Sequence, residues 1–237
     1  MRKIVATLGA GALFWVLAAP VWGQASGSSS DAGYLQETTA VAVIRELAHS
    51  RDREMKLLAL QYIDKAIARG NTGDDIRSIL EYLGSESLGG NQVQENGRVI
   101  NNFPDIRRQA AVYLGKLGSP EANETLLGLI YQETDPLVLA EEINSLGLLR
   151  ITSPSGAADK TVEWIAWSIT LMERRGIYDP GATLEAISTF DILLRADRGL
   201  QNSSMYYLLL GIAENFHYPT IVRNAARQLL ERLGGGT

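Results

Sequence analysis

Between residues 53 and 235 one apolar spacing recurs five times. The segments are REMKLLALQYIDKAI (53–67), FPDIRRQAAVYLGKLGSP (103–120), DPLVLAEEINSLGLLRI (135–151), DPGATLEAISTFDILLRA (179–196) and YPTIVRNAARQLLERLGG (218–235). One aligned position holds Met55, Ile106, Val138, Ala182 and Val222; four residues on stand Ala59, Ala110, Glu142, Ala186 and Ala226. A further four residues bring Ile63, Leu114, Leu146, Phe190 and Leu230, and three more bring Ala66, Leu117, Leu149, Leu193 and Leu233. Steps of i, i+4, i+8 and i+11 trace one face of a 3.6-period helix. A helical unit repeated at intervals of roughly 30–50 residues buries its apolar face against its neighbours in a stack. The pattern predicts an all-α fold, an α-solenoid of about five antiparallel helix pairs.

Each recurring segment reads as the second helix of a pair. The first helices are then expected at about 35–49, 74–83, 120–132, 158–175 and 202–216. Ser119-Pro120-Glu121 supplies an N-cap, a proline at the first helical position and an acid at the positive dipole end. Thr72, Asp74 and Asp75 play a similar part for the short helix. Pro104, Pro136, Pro180 and Pro219 stand at or beside second-helix starts, where a missing N–H costs nothing. Gly70, Gly84, Gly118, Gly176 and Gly234 fall just past periodic runs, where helices stop.

Two copies carry a family pattern. PDIRRQAAVYLGKLG (104–118) and IVRNAARQLLERLG (221–234) resemble the second helix of a HEAT repeat. Ile106, Arg107, Ala110 and Leu114 match its Ile/Val–Arg–x–x–Ala–x–x–x–Leu pattern, as do Val222, Arg223, Ala226 and Leu230. Elsewhere Leu139 and Thr183 stand where the Arg would be, Lys56 substitutes for it, and Glu142 replaces an Ala. In the family that Arg often joins a ladder with an Asp, which here would be broken mid-stack. The resemblance is to exported bacterial HEAT-repeat proteins, a group defined by architecture rather than by one activity.

About 85–103 interrupts the helices with polar sequence. Asn96-Gly97 is a strong type I′ turn signal and would set Glu95 opposite Arg98 as a salt pair and Val93 opposite Ile100 as an apolar pair. A small β-hairpin and a loop are the two readings of this insertion. As a hairpin it is either a contact arm or an insertion packed on its own repeat.

The N-terminus is of a different kind. Arg2 and Lys3 precede an uncharged apolar run from Ile4 to Ala19, then Pro20 and small residues at Gly23 and Ala25. This is the layout of a cleaved export signal, predicting a signal peptide at 1–24, a flexible linker at 25–33 and a helical-repeat domain at 34–235. The expected address is the periplasm, or secretion, with no stable membrane anchor after cleavage. The chain holds no Cys, so packing alone must stabilise it. Losing Arg2 and Lys3 would take the formal charge from −5 to −7, which argues against nucleic acid as partner.

Candidate chemistry is sparse. His49 and His217 each stand alone near a predicted helix end, and the absence of Cys leaves no metal ligand set. Neither histidine has a strand–turn–helix serine elbow beside it. No catalytic residue and no cofactor is expected. Asp74/Asp75 read as a helix-start pair and Glu141/Glu142 as a half-solvated face, while the sequons at Asn123 and Asn202 read as chance spellings.

Two features could bind a partner. Trp164 and Trp167, on the second apolar face of TVEWIAWSITLM (161–172), are either core residues or binding anchors; Tyr206 and Tyr207 pose the same alternative. Arg107, Arg108, Arg223 and Arg227, with Arg53 and Lys56, fall on the second helices, which line the inner surface in HEAT-like stacks. They form either a basic strip for an acidic partner or ordinary solvated faces. The expected function is a non-catalytic scaffold that binds another protein or an envelope component. The alternatives are a spacer in an envelope or motility assembly and, through the resemblance, a bilin-attaching enzyme, which the export signal opposes.

Overall fold

Caps and prolines mark where the helices begin. In the computed structural model, the described backbone covers residues 29–151, 156–197 and 200–234, with side chains from Thr39 onward. The chain divides into two units, Met1–Glu37 and Thr38–Thr237. Ser29–Glu37 of the first is described and is helical; the expected export signal lies outside the described residues.

The described residues contain ten helices: α1 (Ser29–His49), α2 (Arg53–Ala68), α3 (Asp74–Gly84), α4 (Pro104–Leu117), α5 (Pro120–Ile130), α6 (Pro136–Leu149), α7 (Ala157–Arg174), α8 (Pro180–Ala196), α9 (Ser203–Glu214) and α10 (Thr220–Gly234). Two short strands, β1 (Gln94–Glu95) and β2 (Arg98–Val99), form the one hairpin among them. The all-α class is thus as expected. One boundary is not: α1 begins at Ser29, inside the stretch expected to be a linker.

Ser119, Asp135 and Asp179 each accept a backbone N–H in the first turn of the helix they cap, followed by proline. Asn202 caps α9 the same way. α3 starts from Gly73, which has no side-chain cap. At the other end of α4, Gly118 closes the helix at φ 71°, a left-handed conformation that costs glycine little. Gly84 does something else. It is the last residue of α3, and a Cβ there would meet Leu129 Cδ1 at 2.7 Å. Its lack of a side chain serves the α3–α5 approach rather than a helix stop.

The helices touch in two ranks. α2, α4, α6, α8 and α10 contact one another in that order, and α3, α5, α7 and α9 do likewise. The ranks are joined by α3 on α4, α5 on α4 and α6, α7 on α8, and α9 on α10. The aligned apolar positions lie at the seam between them: Ile106, Ala110, Leu114, Val138, Leu146, Ala186 and Phe190 are all buried. Small residues set the spacing within the second-helix rank. A Cβ on Gly115 would lie 3.0 Å from the Ser145 side chain, and one on Gly147 2.7 Å from Thr189 Oγ1.

Met55 breaks the pattern. It is 41% exposed, and its neighbour Lys56 is turned inward instead. The buried stripe of α2 runs through Lys56, Ala59, Leu60 and Ile63, an i, i+3, i+4, i+7 face that carries Lys56 to buried acceptors.

Candidate functional site

Folding takes two residues, Arg107 and Lys56, out of the expected basic strip. Arg107 is 2% exposed. Its Nε donates to Glu133 Oε2 at 2.8 Å and its Nη2 to Glu133 Oε1 at 3.1 Å, a bidentate pair. The remaining nitrogen, Nη1, donates to Asn102 Oδ1 and the Glu86 carbonyl. Lys56 is equally buried, with Nζ 2.6 Å from Glu86 Oε2 and donating to the Ala48 carbonyl. Arg53 pairs with Asp105 and Glu54. Arg223 lies over the Phe216 ring at 5.0 Å, and Arg227 donates to the Ala213 carbonyl and Asn224. Among these cations Arg108 is exposed and has no ion pair among the described residues. The expected strip is therefore corrected for two residues: Arg107 and Lys56 are internal struts, while Arg53, Arg223 and Arg227 make local contacts, with the Arg223 Nε buried and unpartnered, and Arg108 stays exposed.

These struts explain the insertion. Glu86, which receives Lys56, also accepts from Asn101 Nδ2 at 3.1 Å. Asn101 in turn donates to the Asn91 carbonyl and accepts from the Val93 N–H. The base of the 85–103 segment is thus sewn to α2 and α4 through buried polar groups. The hairpin beyond it has the expected register, Gln94 with Val99 and Glu95 with Arg98, and Ile100 N–H donates to the Val93 carbonyl. Asn96 and Gly97 take φ of 51° and 76°, as a type I′ turn requires. Val93 and Ile100 remain exposed, and among the described residues Glu95 and Arg98 form no ion pair. A pocket of about 320 Å³ lies beside Arg107, but each of that guanidinium's nitrogens already donates within the protein.

Glu142 was expected on a half-solvated face and is instead fully buried in α6, with neither carboxylate oxygen hydrogen-bonded. Burial pushes its pKa well above the ordinary carboxyl value, Glu133 adds to the rise, and Arg107 opposes it. A protonated Glu142 leaves Arg107 and Glu133 balanced as a neutral pair.

The remaining sequence candidates are structural. His49 stacks on Tyr82 with ring centroids 4.0 Å apart, and His217 on Tyr178 at 4.4 Å. Asp74 pairs with Arg77, and Asp75 with Arg45. Asn123 is buried in α5. Among the described residues no cluster of three or more His, Cys, Asp or Glu could hold a metal ion. No described helix is long and apolar enough to cross a membrane.

The rank of α3, α5, α7 and α9 presents aromatic rings. Trp167 is 39% exposed, Tyr131 51% and Tyr207 70%. Trp164, half-buried, packs against the core. Tyr131, just past the end of α5, stacks on Trp167 at 4.7 Å with an 18° interplanar angle. Trp164 stands nearly perpendicular to both, at 73° to Tyr131 and 63° to Trp167. Between α7 and α9 runs a groove of about 480 Å³, lined by Trp167, Leu171, Tyr207 and Leu208 together with the charged Glu163, Glu173 and Arg174. Burial raises the Glu173 carboxyl, moderated by a hydrogen bond with Tyr218. Of the two alternatives for the tryptophans, the structure divides them: Trp164 leans on the core and Trp167 faces out. Tyr131 had no periodic signal because it sits where α5 ends; its type, the one aromatic residue between two helices, was the only hint.

Comparison with protein-family models, with curated proteins and with solved structures gave no match.

Proposed function

We propose that this chain is an exported, non-catalytic scaffold of HEAT-like repeats that holds another protein or an envelope component. The docking face is the rank of α5, α7 and α9. The observation that carries this reading is the groove between α7 and α9, where Trp167 and Tyr207 expose large aromatic surface. Monomeric surfaces seldom leave contiguous apolar patches uncovered, and Trp and Tyr are enriched among residues that dominate binding energy. Of the basic candidates, Arg107 is held in a buried pair, Arg53 in a surface ion pair and Arg227 by a backbone carbonyl.

Binding to the native partner tests the proposal. Trp167→Ala and Tyr207→Ala each weaken capture by about tenfold or more, chiefly through faster dissociation. Arg108→Glu leaves it unchanged, and raising salt has little effect on any of the three. Capture that depends on Arg108 and on salt, and not on the aromatic residues, would overturn it. Export is tested separately by sequencing the N-terminus of the mature chain, expected to start at about residues 24–26.

A further inference from the structure

We propose that Tyr131, Trp164, Trp167 and Glu163 form a binding site for a small quaternary ammonium solute of the choline type. The four residues line one surface pocket of about 200 Å³. Its walls are two aromatic planes meeting near a right angle: the Tyr131–Trp167 stack on one side and Trp164 on the other. Such a corner matches a tetrahedral trimethylammonium head, whose methyl groups rest on both planes, whereas a flat guanidinium stacks on one.

Charge points the same way. Four other rings are covered by the chain's own cations: Lys56 over Tyr82, Lys65 over Tyr62, Lys116 over Tyr113 and Arg223 over Phe216. Among the described residues no cation lies over Tyr131, Trp164 or Trp167, and Glu163 has neither ion pair nor hydrogen bond. The nearest lysine along α7, Lys160, is held by Glu124. The ring surface that the Tyr131–Trp167 stack and Trp164 leave uncovered by one another, beside an unpaired carboxylate, is thus open to a positive charge from outside, and indole faces are the strongest aromatic partners for one. The lining selects the kind of cation, three aromatic side chains to one carboxylate. A primary ammonium is strongly hydrated and brings three N–H donors that ring carbons do not satisfy. A quaternary ammonium brings none and is weakly hydrated, so the rings and one carboxylate suffice.

The site rests on the reading of the α5, α7 and α9 rank as a binding face, but its test is independent of the larger partner. Tryptophan fluorescence of the whole chain is titrated at constant ionic strength with choline and with 3,3-dimethylbutan-1-ol, its neutral isostere. Choline produces a saturable change, and the isostere binds at least about fivefold more weakly, in line with the cation–π range. Glu163→Gln and Tyr131→Ala each weaken choline binding several-fold with unchanged circular dichroism. Tyr207→Ala leaves it intact. Equal binding of the isostere, absence of saturable binding, or indifference to Glu163→Gln and Tyr131→Ala would overturn the site. Retention on phosphatidylcholine vesicles without response to soluble choline would overturn the free-solute assignment in favour of a lipid headgroup. If choline fails while Tyr207→Ala still lowers partner capture, this inference falls and the proposed function stands; the opposite pair of results does the reverse.

Discussion

Replacing Arg107 with Met should be one of the most damaging single changes in α4, although the residue is charged and lies on a helix whose pattern places it off the main apolar stripe. The side chains of Arg107 and Glu133 are 3% and 0% exposed, and they share two hydrogen bonds at 2.8 and 3.1 Å. Met preserves most of the aliphatic volume, so the loss is electrostatic. Glu133 would keep the Thr134 and Asp135 N–H groups, both at 2.8 Å to Oε1, but no countercharge. Breaking a buried pair from one side typically costs about 3–5 kcal/mol, because the remaining charge stays buried. The Asn102 side chain and the Glu86 carbonyl lose a donor as well. In urea denaturation Arg107→Met should therefore fall at the upper part of that range. The double variant Arg107→Met/Glu133→Gln removes both charges and keeps an acceptor for the two N–H groups, so it should recover more than half of the loss. Arg108→Met, on the exposed neighbour, should stay within about 0.5 kcal/mol. An Arg107→Met variant as stable as Arg108→Met would refute the reasoning.

Glu142 gives a pH signature. Its folded pKa is raised above the ordinary value of 4.5, so the folded state holds a proton that the unfolded state releases. Its favourable contribution is complete below that value and is lost as pH rises through the raised folded pKa. Glu142→Gln should lack this decline and gain on the native protein as pH rises above about 4.5; parallel stability–pH curves would count against it. Gly147→Ala should cost about 1–3 kcal/mol by overpacking against Thr189, whereas Gly128→Ala, with open space around it, should stabilise α5 by about 0.4–1 kcal/mol; equal thermal-denaturation midpoints would contradict both. Leu114→Ala, fully buried, should cost about 2–5 kcal/mol, against about 0.5 kcal/mol or less for Lys116→Ala, whose partner Asp64 is half exposed.

Periodicity and punctuation made most of the helices legible. The i, i+4, i+8 spacing placed Ile106, Ala110 and Leu114 inside, and Pro136 and Pro180 marked helix starts, which Asp135 and Asp179 prove to cap. Asn96-Gly97 even set the register of the hairpin. The pattern failed where charge goes inward. Lys56 and Arg107 were read as surface residues because a helical pattern assigns charges to solvent, and their partners, Glu86 and Glu133, are supplied by segments outside those helices. A clue was present: the same aligned position holds the uncharged Leu139 and Thr183, and it is buried in four copies, with Arg223 of the fifth part-exposed. Glu142 was missed for the related reason that a lone carboxyl without a partner violates the pattern, and only packing shows the burial that raises its pKa. The aromatic face was half legible, because the exposure of Trp167 depends on Tyr131, which arrives from the end of another helix.

Photo-crosslinking in the native envelope tests the central claim most directly. A photoreactive phenylalanine derivative is placed at Tyr207, in the α7–α9 groove, or at Arg108, on the exposed side of α4. The account predicts one partner adduct of defined mass from position 207, suppressed by Trp167→Ala, and no adduct from position 108. The same adduct from position 108, with position 207 silent, would contradict it.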